Sequence, residues 1–228
     1  MKILHIETSS KNCSVSISDG EELLCLCEEV SENYKQSENL HHFVEFALQG
    51  AEIQLKDLDA VHLGMGPGSY TGLRIGASTA KGFCFGLNIP LLASNSLYSM
   101  KEPFVDKGFD YIIPLIDARR MEVYTAVFNG KTGALIEETE SKILDESSFQ
   151  KFSGSKVLFI GDGALKTKEV VDLEGAEFNE TIYPSAKYMI QEGLAKLKDQ
   201  KIEDVAYFEP FYLKEFQGVK LADRNKKD

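Results

Sequence analysis

The chain has no apolar run long enough to span a bilayer, which excludes a transmembrane helix of its own. Met1-Lys2-Ile3-Leu4-His5-Ile6-Glu7 reaches a carboxylate too soon and lacks a small-residue cleavage site, so it does not read as a signal peptide. Positive charge is in deficit: 25 Lys and Arg stand against 36 Asp and Glu, a formal charge of −11. A chain so acidic repels nucleic-acid phosphates as a whole. That excludes a dedicated RNA-binding module, although a local basic patch or a basic partner can still bring RNA near. Cysteine is scarce: Cys13, Cys25, Cys27 and Cys84 are all there are. No further Cys or His stands at metal-site spacing, so they read as reduced thiols of a cytoplasmic protein. His41-His42 is the one adjacent histidine pair, and neighbours on a helix point about 100° apart, too far to chelate one metal from one face. No Ser/His/Asp or Cys/His spacing announces nucleophilic catalysis.

What is present is an ordinary globular balance, 43% hydrophobic and 27% charged over 228 residues. The opening reads as an antiparallel meander. Lys2 to Glu7 is a short apolar strand. Cys13 to Ser18 alternates with period two, Asp19-Gly20 signals a hairpin, and Glu22 to Val30 returns. Ser37 starts a helix whose stripe is Leu40, Phe43, Val44, Ala47 and Leu48, ending at Gly50. Lys56 to Leu63 is the next strand. A glycine loop, Gly64-Met65-Gly66-Pro67-Gly68, follows it, and then Ala77 to Leu87 reads as a helix that Asn88-Ile89-Pro90 ends. Leu91-Leu92 is a short strand and Ser94 to Met100 a short helix.

The order then repeats. Strands fall at Tyr111 to Ile116, Met121 to Phe128 and Ala134 to Glu140. A short helix at Asp145 to Lys151, a strand at Lys156 to Ile160, the turn Gly161-Asp162-Gly163 and a further helix follow. Ser185 to Lys198 is an amphipathic helix, Phe208 to Phe216 an aromatic segment, and Asp223 to Asp228 a charged end. The duplication predicts an α/β fold of two lobes with a cleft between them, of the actin, sugar-kinase and Hsp70-like (ribonuclease H-like) kind, each lobe built on a mixed five-stranded sheet. The first lobe is expected to take residues 1–102 plus a returning segment, 185–228, and the second, smaller lobe residues 103–184.

The glycine loop organises the rest. Strand, loop and helix N-terminus make a spot suited to an anion, or simply a tight turn in which Ser69 or Thr71 caps the helix. Gly72, Gly76 and Ala80 share one helix face, which implies close packing by a core strand, a neighbouring helix or a partner subunit. In the two-lobe architecture Glu7-Thr8-Ser9 would face phosphate and Gly161-Asp162-Gly163 the nucleoside; alternatively Thr8 and Ser9 satisfy turn backbone groups. Arg119-Arg120, between two second-lobe strands, suits a phosphate or carboxylate, or a solvated turn. Lys220, Arg224, Lys226 and Lys227 make a mildly basic tail.

Gly66-Pro67-Gly68-Ser69-Tyr70-Thr71-Gly72-Leu73-Arg74-Ile75-Gly76, after Ile6-Glu7-Thr8-Ser9 and Ser14-Val15-Ser16-Ile17, closely resembles the TsaB (YeaZ) family. The resemblance extends through Ile112 to Arg119, Glu122-Val123-Tyr124, Gly161-Asp162-Gly163 and Pro210-Phe211-Tyr212-Leu213. Tyr70 stands where the family usually has Phe. The family is the dimerisation subunit of the bacterial tRNA threonylcarbamoyladenosine system and a paralogue of the catalytic subunit TsaD. TsaD carries an Asn-His-x-x-x-His metal motif; the matching stretch here is Asn95-Ser96-Leu97-Tyr98-Ser99-Met100. Ser96 and Met100 do not replace neutral imidazoles on a hard or borderline metal.

The resemblance therefore implies a non-catalytic scaffold with no metal and no cofactor. Its partner would be TsaD, bound through the first-lobe helices at Leu40, Phe43, Val44, Ser69, Tyr70, Gly72, Leu73, Arg74, Gly76 and Ala80. It would help recruit the ATPase TsaE, form a homodimer in isolation, and meet tRNA only indirectly. The complex transfers threonylcarbamoyl from its adenylate to N6 of adenosine 37 in tRNAs reading codons that begin with A. Glu7, Thr8, Ser9, Gly161, Asp162 and Gly163 would mark a vestigial nucleotide cleft. The alternatives are a small-molecule kinase or ATPase of the same fold, a metallopeptidase, and a homodimer with no further partner.

Overall fold

A computed structural model describes residues 1–31 and 36–214, with side chains except those of residues 36–38. The first-turn contributions of Ser37 and Glu38, the end of the Phe208 to Phe216 segment, the charged Asp223 to Asp228 end and the basic tail residues lie outside the described residues or side chains.

Strands β1 (Lys2–Glu7), β2 (Asn12–Asp19) and β3 (Glu22–Val30) form the expected meander. Gly20 turns the second hairpin at φ +61°, a conformation glycine adopts without steric cost. Helix α1 (Gln36–Gly50) packs against β2 and β3. Strand β4 (Ala60–Gly64) begins later than its apolar run suggests, because Leu55–Asp57 forms a 3-10 turn in which Asp57 caps the backbone of Gln54. Helix α2 (Tyr70–Leu87) runs unbroken from its Ser69 cap to Asn88, which closes it at φ 55°. Strand β5 (Leu91–Ser94) and helix α3 (Ser96–Met100) complete the first run. The sheet order is β3-β2-β1-β4-β5, with β4 and β5 parallel to β1.

Strands β6 (Tyr111–Asp117), β7 (Glu122–Asn129), β8 (Leu135–Ile143), β9 (Val157–Ile160) and β10 (Ala176–Asn179) form a second sheet, β10-β9-β6-β7-β8. Numbered from its own first strand, its order is that of the first sheet, so the duplication holds strand for strand. Helix α4 (Ala164–Val170) precedes β10, a strand the sequence does not announce because Ala176-Glu177-Phe178-Asn179 is too short to show a period. Between β8 and β9 the expected helix shrinks to a 3-10 turn at Gln150–Phe152. The expected long helix from Ser185 divides into a 3-10 turn at Ala186–Tyr188 and helix α5 (Ile190–Lys198).

Each sheet has its own core. Leu4, Ile6, Val15 and Ile17 meet Leu40, Val44, Ala77 and Ala80 of α1 and α2, each large aliphatic side chain contributing about 1.5–3 kcal/mol by its burial. On the other face of the first sheet Leu197 of α5 packs on Ile3, Ala60 and Leu92. The chain after α5 crosses back: Glu203 N donates to Leu91 O (2.8 Å), and Phe211 N to Met65 O (2.8 Å).

Candidate functional site

The glycine loop folds over the β1–β2 turn. Ser69 N donates to Ser9 O (2.6 Å), and Thr8 Oγ1 donates to Gly72 O (2.8 Å). A side chain at Gly68 would strike Ser9, and one at Gly72 or Gly76 would strike Thr8. Ser69 accepts from Gly72 N (3.3 Å) and caps α2, while Thr71 lies within the helix and is exposed. The close neighbour of the small row is thus a turn of the same chain. Glu7, Thr8 and Ser9 are buried under it and present no open phosphate cradle. Burial raises the Glu7 carboxyl above its ordinary range; Ser9 N donates to its Oε1 (2.8 Å), while its Oε2 has no hydrogen-bond partner among the described residues.

The residues expected at a partner interface lie at different depths in this packing. Leu40, Val44, Gly72, Leu73, Gly76 and Ala80 are buried inside the first lobe. Phe43 is half-buried against the same core. Of the remaining positions, Ser69 and Tyr70 are half-buried and Arg74 is exposed, its guanidinium 4.2 Å from the Tyr70 ring centroid; the Tyr212 ring centroid lies 5.0 Å from that of Tyr70.

The second glycine turn is also filled. Gly161, at φ +111°, passes close to Leu115 O, and Gly163 N donates to Leu115 O (3.1 Å). Asp162 accepts from Asp117 N (2.9 Å), and burial raises its carboxyl above the ordinary range. These hydrogen bonds tie the turn between β9 and α4 to β6. Ser96 and Met100 are buried where the lobes meet. Ser96 Oγ accepts from Gly66 N (3.2 Å), and the Met100 methyl stands 2.9 Å from where a Gly161 side chain would begin. Asn95 caps α3 and donates across the lobes to Thr139 Oγ1 (2.9 Å). Among the described residues no group of three or more His, Cys, Asp or Glu is placed to hold a metal.

The outer surface of the helix pair has a different character. Phe46 is 53% and Phe85 86% exposed. His41 and His42 are exposed beside them, with His41 edge-on to Phe83 (6.3 Å) and His42 stacked near Phe46 (6.4 Å). Gly82 and Gly86 have no atom within 4 Å of a built side-chain carbon. Aromatic rings beside bare helix backbone form a surface on which another helix can lie close.

The sequence reading missed the second histidine pair. Parallel register sets His5 of β1 beside His62 of β4. Their Nδ1 atoms are 3.2 Å apart, with Ser18 Oγ on His5 (2.9 Å) and Ser94 Oγ on His62 (2.7 Å). No spacing rule finds such a pair, since strand register is a tertiary property. The cysteines gather in the first core: Cys13 of β2 and Cys84 of α2 are buried, and Cys25 and Cys27 are half-buried on one face of β3.

The family described as TsaD, tRNA N6-adenosine threonylcarbamoyltransferase, matches residues 28–214. The tRNA threonylcarbamoyladenosine biosynthesis protein TsaB of Escherichia coli (strain K12) is 28% identical over 222 residues, covering 94% of this chain and 95% of its own length. Its namesake from Bacillus subtilis (strain 168) is 29% identical over 184 residues, 78% of each chain. YeaZ from Pseudomonas aeruginosa has a TM-score of 0.78 at 22% identity, covering 93% of this chain and 99% of its own. An uncharacterized protein from that organism, described as similar to peptidase YEAZ, scores 0.80 over the same shares. Those two likenesses bear on the fold alone. No helix among the described residues is long and apolar enough to cross a membrane. With most of its length matched by the one family and nearly all of it by TsaB relatives, the chain belongs to the TsaD threonylcarbamoyltransferase family, in its TsaB (YeaZ) branch.

Proposed function

We propose that this chain is the non-catalytic dimerisation subunit of a cytoplasmic assembly that makes tRNA threonylcarbamoyladenosine. It holds TsaD through the outer face of α1 and α2, supports recruitment of the ATPase TsaE, and pairs with itself through the same face when alone. The chemistry at adenosine 37 belongs to the partner's active site. The observation that carries this reading is the exposed aromatic-and-glycine face, with Phe85 86% exposed. Burial of the β1–β2 turn, with Ser96 and Met100 where TsaD carries its histidines, supports this reading over a kinase, an ATPase or a metallopeptidase. The two lobes are proposed as residues 1–102 with the returning segment from 185, and residues 103–184.

The test is reconstitution of threonylcarbamoyl transfer with TsaD, TsaE and the enzyme that makes the adenylate, with and without this chain. Transfer should require it. Phe46→Ala/Phe85→Ala should weaken TsaD binding by at least about 30-fold, with unfolding free energy changed by less than about 0.5 kcal/mol. Equal transfer without the chain, or unchanged affinity in the folded variant, defeats the reading.

A further inference from the structure

The turn from β6 to β7 is built against its own backbone preferences. Ala118 N donates to Glu122 O (3.0 Å), so the loop is Arg119, Arg120 and Met121. Arg119 sits at φ 66° and Arg120 at φ 52°. Side chains at left-handed φ crowd the following carbonyl, which glycine avoids and asparagine tolerates. Gly20 at φ +61° after β2 and Gly133 at φ +69° after β7 take the ordinary solution, while Glu52, Asp106, Phe149 and Gln200 adopt left-handed φ singly. Arg119 and Arg120 are the one consecutive non-glycine pair at left-handed φ among the described residues, a local strain from which a functional role of the side chains can be inferred.

The loop is held from beneath. Lys166 Nζ donates to Asp117 Oδ1 (2.6 Å), Arg120 O (2.9 Å) and Glu122 O (2.5 Å), and Arg119 N donates to Asp117 Oδ1 (2.6 Å). The nearby carboxylates already face lysines: Asp117 pairs with Lys166, Glu122 with Lys214, and Asp162 feels Lys11 and Lys166. Neither arginine side chain makes an ion pair or hydrogen bond among the described residues, in a chain of net charge −11. Both residues are exposed at the tip of a hairpin. A convex tip with adjacent guanidinium groups has no pocket for a base, but it suits the repeated phosphates of a strand, which a guanidinium fork binds well.

We propose that the Arg119–Arg120 turn docks RNA by its backbone phosphates, independently of sequence. This deepens the reading of the chain as part of a tRNA-modifying assembly and rests on it. The probe is a fluorescein-labelled, unmodified tRNA transcript, titrated by anisotropy with the full chain between about 50 and 200 mM salt. Arg119→Ala/Arg120→Ala should weaken binding about tenfold at the low end and reduce the log–log salt slope by roughly 2. Arg119→Asn/Arg120→Gly should bind as weakly yet melt about 2–4 °C higher, because the crowding is relieved. Phe85→Ala should bind RNA as the parent does, which separates this site from the subunit face. The proposal is overturned by unchanged RNA affinity in either arginine variant, by no gain in melting temperature with Asn-Gly, or by no RNA binding at all by the parent chain. Displacement of the RNA by millimolar ATP, dependent on both arginines, would assign the turn to a nucleotide phosphate instead.

Discussion

Gly76 has no room for a side chain. Thr8 Oγ1 blocks its place, and Leu63 Cδ1 would lie 3.1 Å away. Gly76→Leu should therefore destabilise the free chain by about 2–3 kcal/mol, the range of core overpacking, and urea unfolding measures it. A stability change below about 0.5 kcal/mol would mean that the row does not face the core. The His5–His62 pair makes a second prediction at this scale. Unfolded, both imidazoles titrate near 6.5. Folded, burial pushes His5 down to about 3, and burial, with His5 beside it, holds His62 well below its ordinary value. The unfolded chain then binds more protons over the interval between these values. The stability contributed by the neutral pair is complete above about pH 6.5 and declines as pH falls, by up to about 1.4 kcal/mol per pH unit per histidine. Glu7 has the opposite sign: its raised carboxyl contributes stability below the ordinary carboxylate range, lost as pH rises through its folded value. Urea midpoints should fall between pH 7 and pH 5, and His5→Leu/His62→Leu should flatten that fall. An equally steep fall in the double variant would assign the acid sensitivity elsewhere.

Helix α2 carries small residues on two faces with opposite consequences. Gly72 and Gly76 are pressed against the β1–β2 turn, whereas Gly82 stands open. Gly82→Ala should stabilise the isolated chain by about 0.5–1 kcal/mol, since helix propensity is the only local term that changes. Gly82→Leu should leave the fold intact while weakening association by at least about tenfold, if a partner helix lies on that backbone. Sedimentation of the isolated chain and of its mixture with TsaD reads both effects. A leucine variant that associates normally would show that the bare backbone meets solvent. The sequence made this helix and its Asn88 stop legible and offered Ser69 or Thr71 as its cap, because each depends on residues a few positions apart; the structure chose Ser69 and started the helix at Tyr70, ahead of Ala77. The face of contact was not legible: glycines spaced alike along a helix look the same whether a core turn or open solvent lies opposite.

At the scale of the whole molecule, two sheets of the same strand order meet where Ser96, Met100 and Gly161 pack. The chain then returns over the first lobe, where Lys81 Nζ holds the carbonyls of Ala206 (3.1 Å) and Phe208 (3.2 Å). It continues to the second lobe, where Lys214 pairs with Glu122. Glu7, Thr8 and Ser9, expected at a nucleotide cleft, are buried beneath the glycine loop. The net charge of −11 describes the surface on average and conceals the uncompensated arginine turn, because summed charge carries no positions.

The sequence by itself determined the order of elements apart from β10 and the breaks near Gln150 and Met189, the internal duplication, the family and the absence of the Asn-His-x-x-x-His histidines. These depend on hydrophobic period, turn chemistry and residue identity, all of which are local along the chain. Only the tertiary structure decided which residues face outward. It turned Leu40, Val44, Gly72, Leu73, Gly76 and Ala80 into core, left Phe46, Phe85 and Gly82 outside, and paired His5 with His62. Burial and strand register arise from packing between residues far apart in sequence, and nothing in the spacing along one strand or helix specifies what will lie against it.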